Sequence, residues 1–163
     1  MTDILTMEND ILKEKSAPVS EIDENIRNLI TKMEEILDKN NGVGLAAPQI
    51  GENKRIFITK VPGDILRVFI NPEIIQTSQE LENYEEGCLS IPGVWAKVVR
   101  PTAIAMQAWD SKGKVFRVDV EGILARVIQH EFDHLNGILF TDRLDEKQRE
   151  KALKVYDRKN KPK

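Results

Sequence analysis

From Ile123 to Leu135 the apolar residues Ile123, Leu124, Val127, Ile128 and Leu135 recur at helical spacing, and His130, Glu131 and His134 fall inside the same stripe. This restricts the possible folds more than any other feature. Buried ionisable groups are costly unless a metal or a partner holds them, so such a helix must sit in a core that supplies a holder. At 3.6 residues per turn, positions 130 and 134 share a face, and both imidazoles can grip one ion while Glu131 reaches water beside it. Asn136 and Gly137 provide the helix stop. The two histidines of the chain are both used here, and the single cysteine, Cys88 in Glu86-Gly87-Cys88-Leu89-Ser90, is the natural third ligand. A Cys-His₂ set suits Zn(II), Fe(II), Co(II) or Ni(II) and leaves one tetrahedral position open for chemistry.

At 163 residues the chain is expected to form one domain spanning 1–163, large enough to bury a core without disulfides. One cysteine cannot staple a secreted fold, and a thiol serving as a metal ligand needs reducing surroundings, so a cytoplasmic protein is expected. No apolar run is long enough to cross a bilayer, and no membrane association is expected. The net charge of −3 conceals an asymmetry, with eight basic against four acidic residues from 145 to 163. That basic tail, including Lys147, Lys151, Lys161 and Lys163, suits a polyanionic surface, although such tails are more often simply solvated.

Ile22, Ile26, Leu29, Ile30, Met33, Ile36 and Leu37 form an apolar stripe that predicts a core helix starting at Ser20 and ending at Asn40-Asn41-Gly42. Short β-type runs follow at Arg55–Ile58 and Arg67–Ile70, the second closed by Asn71-Pro72. Ala103–Trp109 and Val115–Val120 flank the turn Asp110-Ser111-Lys112-Gly113 and read as an antiparallel hairpin leading into the metal helix. A last helix starts near Asp145, with Gln148 at capping distance, and its basic tail is expected to fray over 158–163. The fold class is α+β: a single compact domain with mainly antiparallel strands, a central metal-binding helix, an N-terminal helix and a C-terminal helix.

Gly42-Val43-Gly44-Leu45-Ala46-Ala47-Pro48-Gln49, Glu86-Gly87-Cys88-Leu89-Ser90 and Gln129-His130-Glu131-Phe132-Asp133-His134, in that order, resemble the peptide deformylase family. The resemblance implies removal of the formyl group from N-formylmethionine on nascent polypeptides, with Fe(II) the usual metal and zinc a common replacement. It implies that Cys88, His130 and His134 bind the metal and that Glu131 is the general acid/base. It further implies that Gln49 and the backbone N–H of Leu89 stabilise the oxyanion, and that the 42–44 loop lines the substrate site. Substrate contacts are expected at Val43, Gly44, Glu86, Gly87, Ile123 and Val127, with Val43, Ile123 and Val127 walling a methionine pocket. Glu86 is also expected to pair with Arg100, whereas Asp133 is read either as a support behind the ligands or as a solvent-facing residue.

Two departures stand out. Met7-Glu8-Asn9-Asp10-Ile11-Leu12-Lys13 replaces the Asp-Pro and Leu-Arg elements of many members, and Trp95 stands where some bacterial members carry a basic residue. For the chain as a whole, a monomer is expected, with the basic tail a candidate contact to the ribosome. The competing readings are an endopeptidase of the wider His-Glu-x-x-His class and a binding protein that keeps its metal only for folding. Cys88 and the other two motifs disfavour the first; an exchangeable coordination position would exclude the second.

Overall fold

All four residues of the strand β2, Ile56–Thr59, are buried in the computed structural model, which describes residues 3–160. A strand buried throughout needs cover on both faces. Helix α1, Glu24–Lys39, supplies one cover, joining Ile56, Ile58 and Ile70 in a core with Leu29, Met33 and Leu37. Helix α2, Gly122–Leu135, supplies the other, where Phe57, Phe69 and Met106 pack with Ala125, Ile128 and Leu135. The sheet between them is antiparallel, in the order β1-β2-β3-β6-β7. Its other strands are β1, Gly44–Ala46; β3, Arg67–Thr77; β6, Ala103–Trp109; and β7, Val115–Glu121. Between β3 and β6 the chain makes a separate two-stranded unit of β4, Leu81–Cys88, and β5, Ile91–Pro101. A third core lies beneath that hairpin, where Ile91, Val94 and Val98 meet Leu12, Phe140 and two residues of the last helix α3, Glu146–Asn160.

The expected α+β class, the β6–β7 hairpin and the three helices are all present. Three local expectations are corrected and three strands are added. Helix α1 begins at Glu24 rather than Ser20, because the Asp23 carboxylate accepts the Ile26 N–H at 3.0 Å and caps it. The strand at Arg67 does not close at Asn71-Pro72 but bulges there, with Asn71 at φ 50, and runs on to Thr77. The Asn71 side chain clamps Val19 from both sides, accepting its N–H and donating to its carbonyl, each at 2.8 Å. Strands β1, β4 and β5 are additions that the sequence pattern does not announce. Finally, α3 remains helical to Asn160 instead of fraying from 158. Tyr156 is buried, Lys159 Nζ donates to Gly93 O and Asn160 Nδ2 to Pro92 O, both at 2.9 Å. Lys161 and Lys163 lie outside the described residues.

Candidate active site

Strand β7 runs straight into α2 through Gly122, whose φ of 66 lets the chain turn without a loop. The helix is then buried on almost every side, and its far end is held where Leu135 O accepts from Ser16 N, Ser16 Oγ and Arg55 NH1 at 2.8, 2.9 and 3.0 Å. His130, Glu131 and His134 are at most 8% exposed. Cys88 arrives from the end of β4, and its Sγ stands 3.3 Å from His134 Nε2. The donor atoms of Cys88, His130 and His134 all lie within 4.8 Å of one another. Tetrahedral bonds of about 2.3 Å to sulfur and 2.0 Å to nitrogen would separate a sulfur and a nitrogen ligand by roughly 3.5 Å, so this donor set fits a divalent ion.

Their surroundings push the two imidazoles in opposite directions. Burial, with the neighbouring positive charge on His130, holds His134 well below its ordinary pKa, leaving a neutral imidazole with a lone pair to give. Burial works against charge on His130 too, but the Cys88 thiol and the Glu86 carboxylate overcome it and raise its basicity well above the usual value. Burial would likewise lift Glu86, yet His130 and Arg100 outweigh it and hold the carboxylate down to about 2. Glu86 Oε1 meets His130 Nδ1 at 2.9 Å, which fixes the ring and turns the other nitrogen toward Cys88 and His134.

Glu131 stands apart from this network. Its Oε1 is buried without a hydrogen-bond partner, and burial pushes its carboxyl up to about 7. A Cβ built on Gly44 would lie 2.7 Å from Glu131 Oε2 and 2.9 Å from Val127 Cγ1, so the glycine is what lets this carboxylate approach the 42–44 loop. Gln49 is equally constrained. Its Oε1 accepts the Ala46 N–H at 2.9 Å, which requires Nε2 to face the other way, 3.1 Å from Ser90 Oγ and 3.8 Å from Cys88 Sγ. Leu89 follows Cys88 in the β4–β5 turn, and its side chain leans on Gly42, where an added Cβ would come within 2.9 Å of Leu89 Cδ1.

The expected substrate residues divide. Gly44 and Val127 gather around Glu131, while Val43 and Ile123 are exposed apolar side chains on the same two segments, 40% and 52% accessible. Gly87 lies beneath the Trp95 indole, whose ring atoms would stand 2.5–2.8 Å from an added Cβ. Glu86 is the correction: its side chain turns inward, and both oxygens are taken by protein donors rather than left for substrate. Arg100 gives it Nε at 2.6 Å and NH2 at 3.0 Å, as the expected pairing requires. Asp133 is buried behind the ligands, accepting from Arg100 at 2.9 Å and from Arg143 at 2.7 and 2.8 Å, which decides against a solvent-facing role. Sequence reasoning missed Arg126, which also reaches Glu86, and Ser90, which receives Gln49. A charge one turn before His130 on the same helix face is the available signal for the arginine.

Comparison with known proteins gives a consistent set of matches. The family model described as polypeptide deformylase matches residues 1–150. The peptide deformylase of Treponema pallidum (strain Nichols) is 52% identical over 141 residues, covering 86% of each chain. That of Borreliella burgdorferi is 47% identical over 152 residues, covering 92% of each. Among solved structures, the peptide deformylase of Ehrlichia chaffeensis in complex with actinonin superimposes with a TM-score of 0.93 at 38% identity over 99% of both chains. The enzyme from Legionella pneumophila gives 0.91 at 37% identity, again over 99% of both.

Proposed function

This chain belongs to the peptide deformylase family and is an enzyme that removes the N-formyl group from nascent peptides, and on that premise we propose which of its residues do so. Cys88, His130 and His134 hold a divalent ion. The observation carrying this reading is their convergence within 4.8 Å beside a buried, unpaired Glu131 oxygen. When bound, the ion polarises the formyl carbonyl and lowers the pKa of water toward neutral. Glu131 takes the proton released as water attacks the formyl carbon and delivers it to the departing amine nitrogen, and burial, by pushing its pKa up to about 7, suits it to both transfers. The Gln49 amide and the Leu89 backbone N–H donate to the oxygen as negative charge develops on it. Val43, Ile123 and Val127 line the methionine pocket, with Gly44 and Gly87 admitting the peptide backbone. The formyl group is selected by size, since the extra carbon of an acetyl group would crowd the buried centre.

Fe(II) is the ion we assign, with zinc, cobalt and nickel as substitutes on the same donors. The iron form should lose activity in air as metal and thiolate oxidise, while a zinc form persists at a lower rate. No helix among the described residues is long and apolar enough to cross a membrane. We assign the enzyme to the cytoplasm as a monomer, with the exposed basic face of α3 meeting the ribosome.

The decisive measurement is formate release from formyl-Met-Ala-Ser by iron-loaded protein, compared with Glu131→Ala. Loss of about 10²–10⁴-fold with metal content retained is expected. Undiminished turnover by the variant would overturn the role of Glu131.

A further inference from the structure

We propose that Arg126 is a positioning residue for His130, acting through Glu86 and tying together the two separate parts of the chain that carry the metal ligands. The inference rests on the metal reading given above. Cys88 belongs to the β4–β5 hairpin, whereas His130 and His134 belong to α2, and the hairpin is not hydrogen-bonded into the main sheet. The centre therefore keeps its shape only if something fixes hairpin to helix. Arg126 lies on α2 one turn before His130, and its side chain is 9% exposed. From there NH1 donates to Val98 O on β5 at 2.9 Å and NH2 to Glu82 O on β4 at 2.8 Å. Both strands of the hairpin are thus held by one guanidinium, which is covered on one face by the Tyr84 ring at 5.5 Å.

The same group completes Glu86. One carboxylate oxygen takes His130 Nδ1 and Arg100 NH2, and the other takes Arg100 Nε and Arg126 NH1, the last at 2.6 Å. Four bonds to two oxygens leave the carboxylate no free rotation. Arg100 alone would not achieve this, because it also donates to Asp133, which Arg143 grips in turn. Arg100 is shared between two carboxylates, whereas Arg126 has Glu86 as its one ion-pair partner among the described residues. It therefore opposes the pull toward Asp133 and keeps Glu86 aligned on the imidazole. A lysine could satisfy one of these acceptors but not the fork that spans both strands and the carboxylate.

The test uses full-length protein loaded with Co(II), comparing wild type, Cys88→Ser, Arg126→Gln and Arg126→Lys. Wild type should show thiolate-to-cobalt absorption that Cys88→Ser abolishes; without it the metal reading itself fails, and the role of Arg126 with it. Given that signal, Arg126→Gln should release cobalt to a chelator ~10–100-fold faster and shift its visible bands. Turnover should fall while KM moves less than about twofold, as expected for a group that supports a ligand and does not touch substrate. Arg126→Lys should lie between the two. Chelator release, spectrum and turnover all unchanged in Arg126→Gln would overturn the proposal. If Arg126→Gln fails to fold, as judged by circular dichroism, Arg126→Lys carries the same criteria.

Discussion

Gly44 has a chemical duty although it has no side chain. Any Cβ there would meet Glu131 Oε2 and Val127 Cγ1 inside 3 Å, so both groups, or the loop itself, would have to move. Misplacing a catalytic group by about 1 Å costs on the order of 10²-fold in rate. Gly44→Ala should therefore lose about that much deformylation without losing metal, measured as formate release alongside metal content. Gln49 makes a different claim. Its carbonyl is fixed by Ala46 and its amide faces Cys88 and Ser90, so under the proposed role Gln49→Leu removes a donor used more by the transition state than by the bound substrate. A loss of about 3 kcal/mol, appearing mainly in kcat, is expected, and an equal change in KM alone would show that the amide merely binds.

Among the elements, α2 is legible in the amino-acid sequence because one periodic stripe carries both the burial pattern and the ligands. Its C-terminal glycine is legible too, but the reason for it is not. Gly137, at φ 73, faces the Lys13 carbonyl, which would stand 2.4 Å from an added Cβ. The N-terminal segment passes so close to the end of the metal helix that only hydrogen fits between them. Gly137→Ala should destabilise the protein by about 2 kcal/mol or more in urea titration, from strain and displaced backbone together. The β4–β5 hairpin is not legible. Leu81-Glu82-Asn83-Tyr84-Glu85-Glu86 is mostly exposed and rich in glutamate, which strands disfavour, and its buried charge, Glu86, is neutralised by arginines 14 and 40 residues away. Long-range pairing of that kind leaves no local periodic trace. The motif still singles out Cys88, whose sulfur the fold brings within 4.8 Å of the His130 and His134 donor atoms, since a candidate ligand is announced by residue type rather than by period.

The whole molecule depends on its last helix more than a solvated basic tail would. Ala152 and Tyr156 enter the core with Ile91, Val94 and Val98, directly behind the Cys88 turn, and the Tyr156 hydroxyl reaches Glu8 at 2.8 Å. Truncation after Asp145 should therefore lower the melting temperature and, with it, activity, whatever the tail binds. Charge reversal is the cleaner probe of ribosome association. Lys147, Lys151 and Arg158 are exposed, so replacing all three by glutamate should leave tripeptide turnover within about twofold and weaken salt-sensitive ribosome binding. Unchanged association would remove the tail from the functional account. The indole of Trp95, 67% exposed and spread over Gly87, the residue that precedes Cys88 in the chain, offers an optical gauge of the proposed centre. Trp109 pairs with Ile70 in the main sheet, so Trp109→Phe would leave Trp95 as the single tryptophan, whose selectively excited emission should dim as Co(II) or Ni(II) fills the site and brighten again when a chelator strips it.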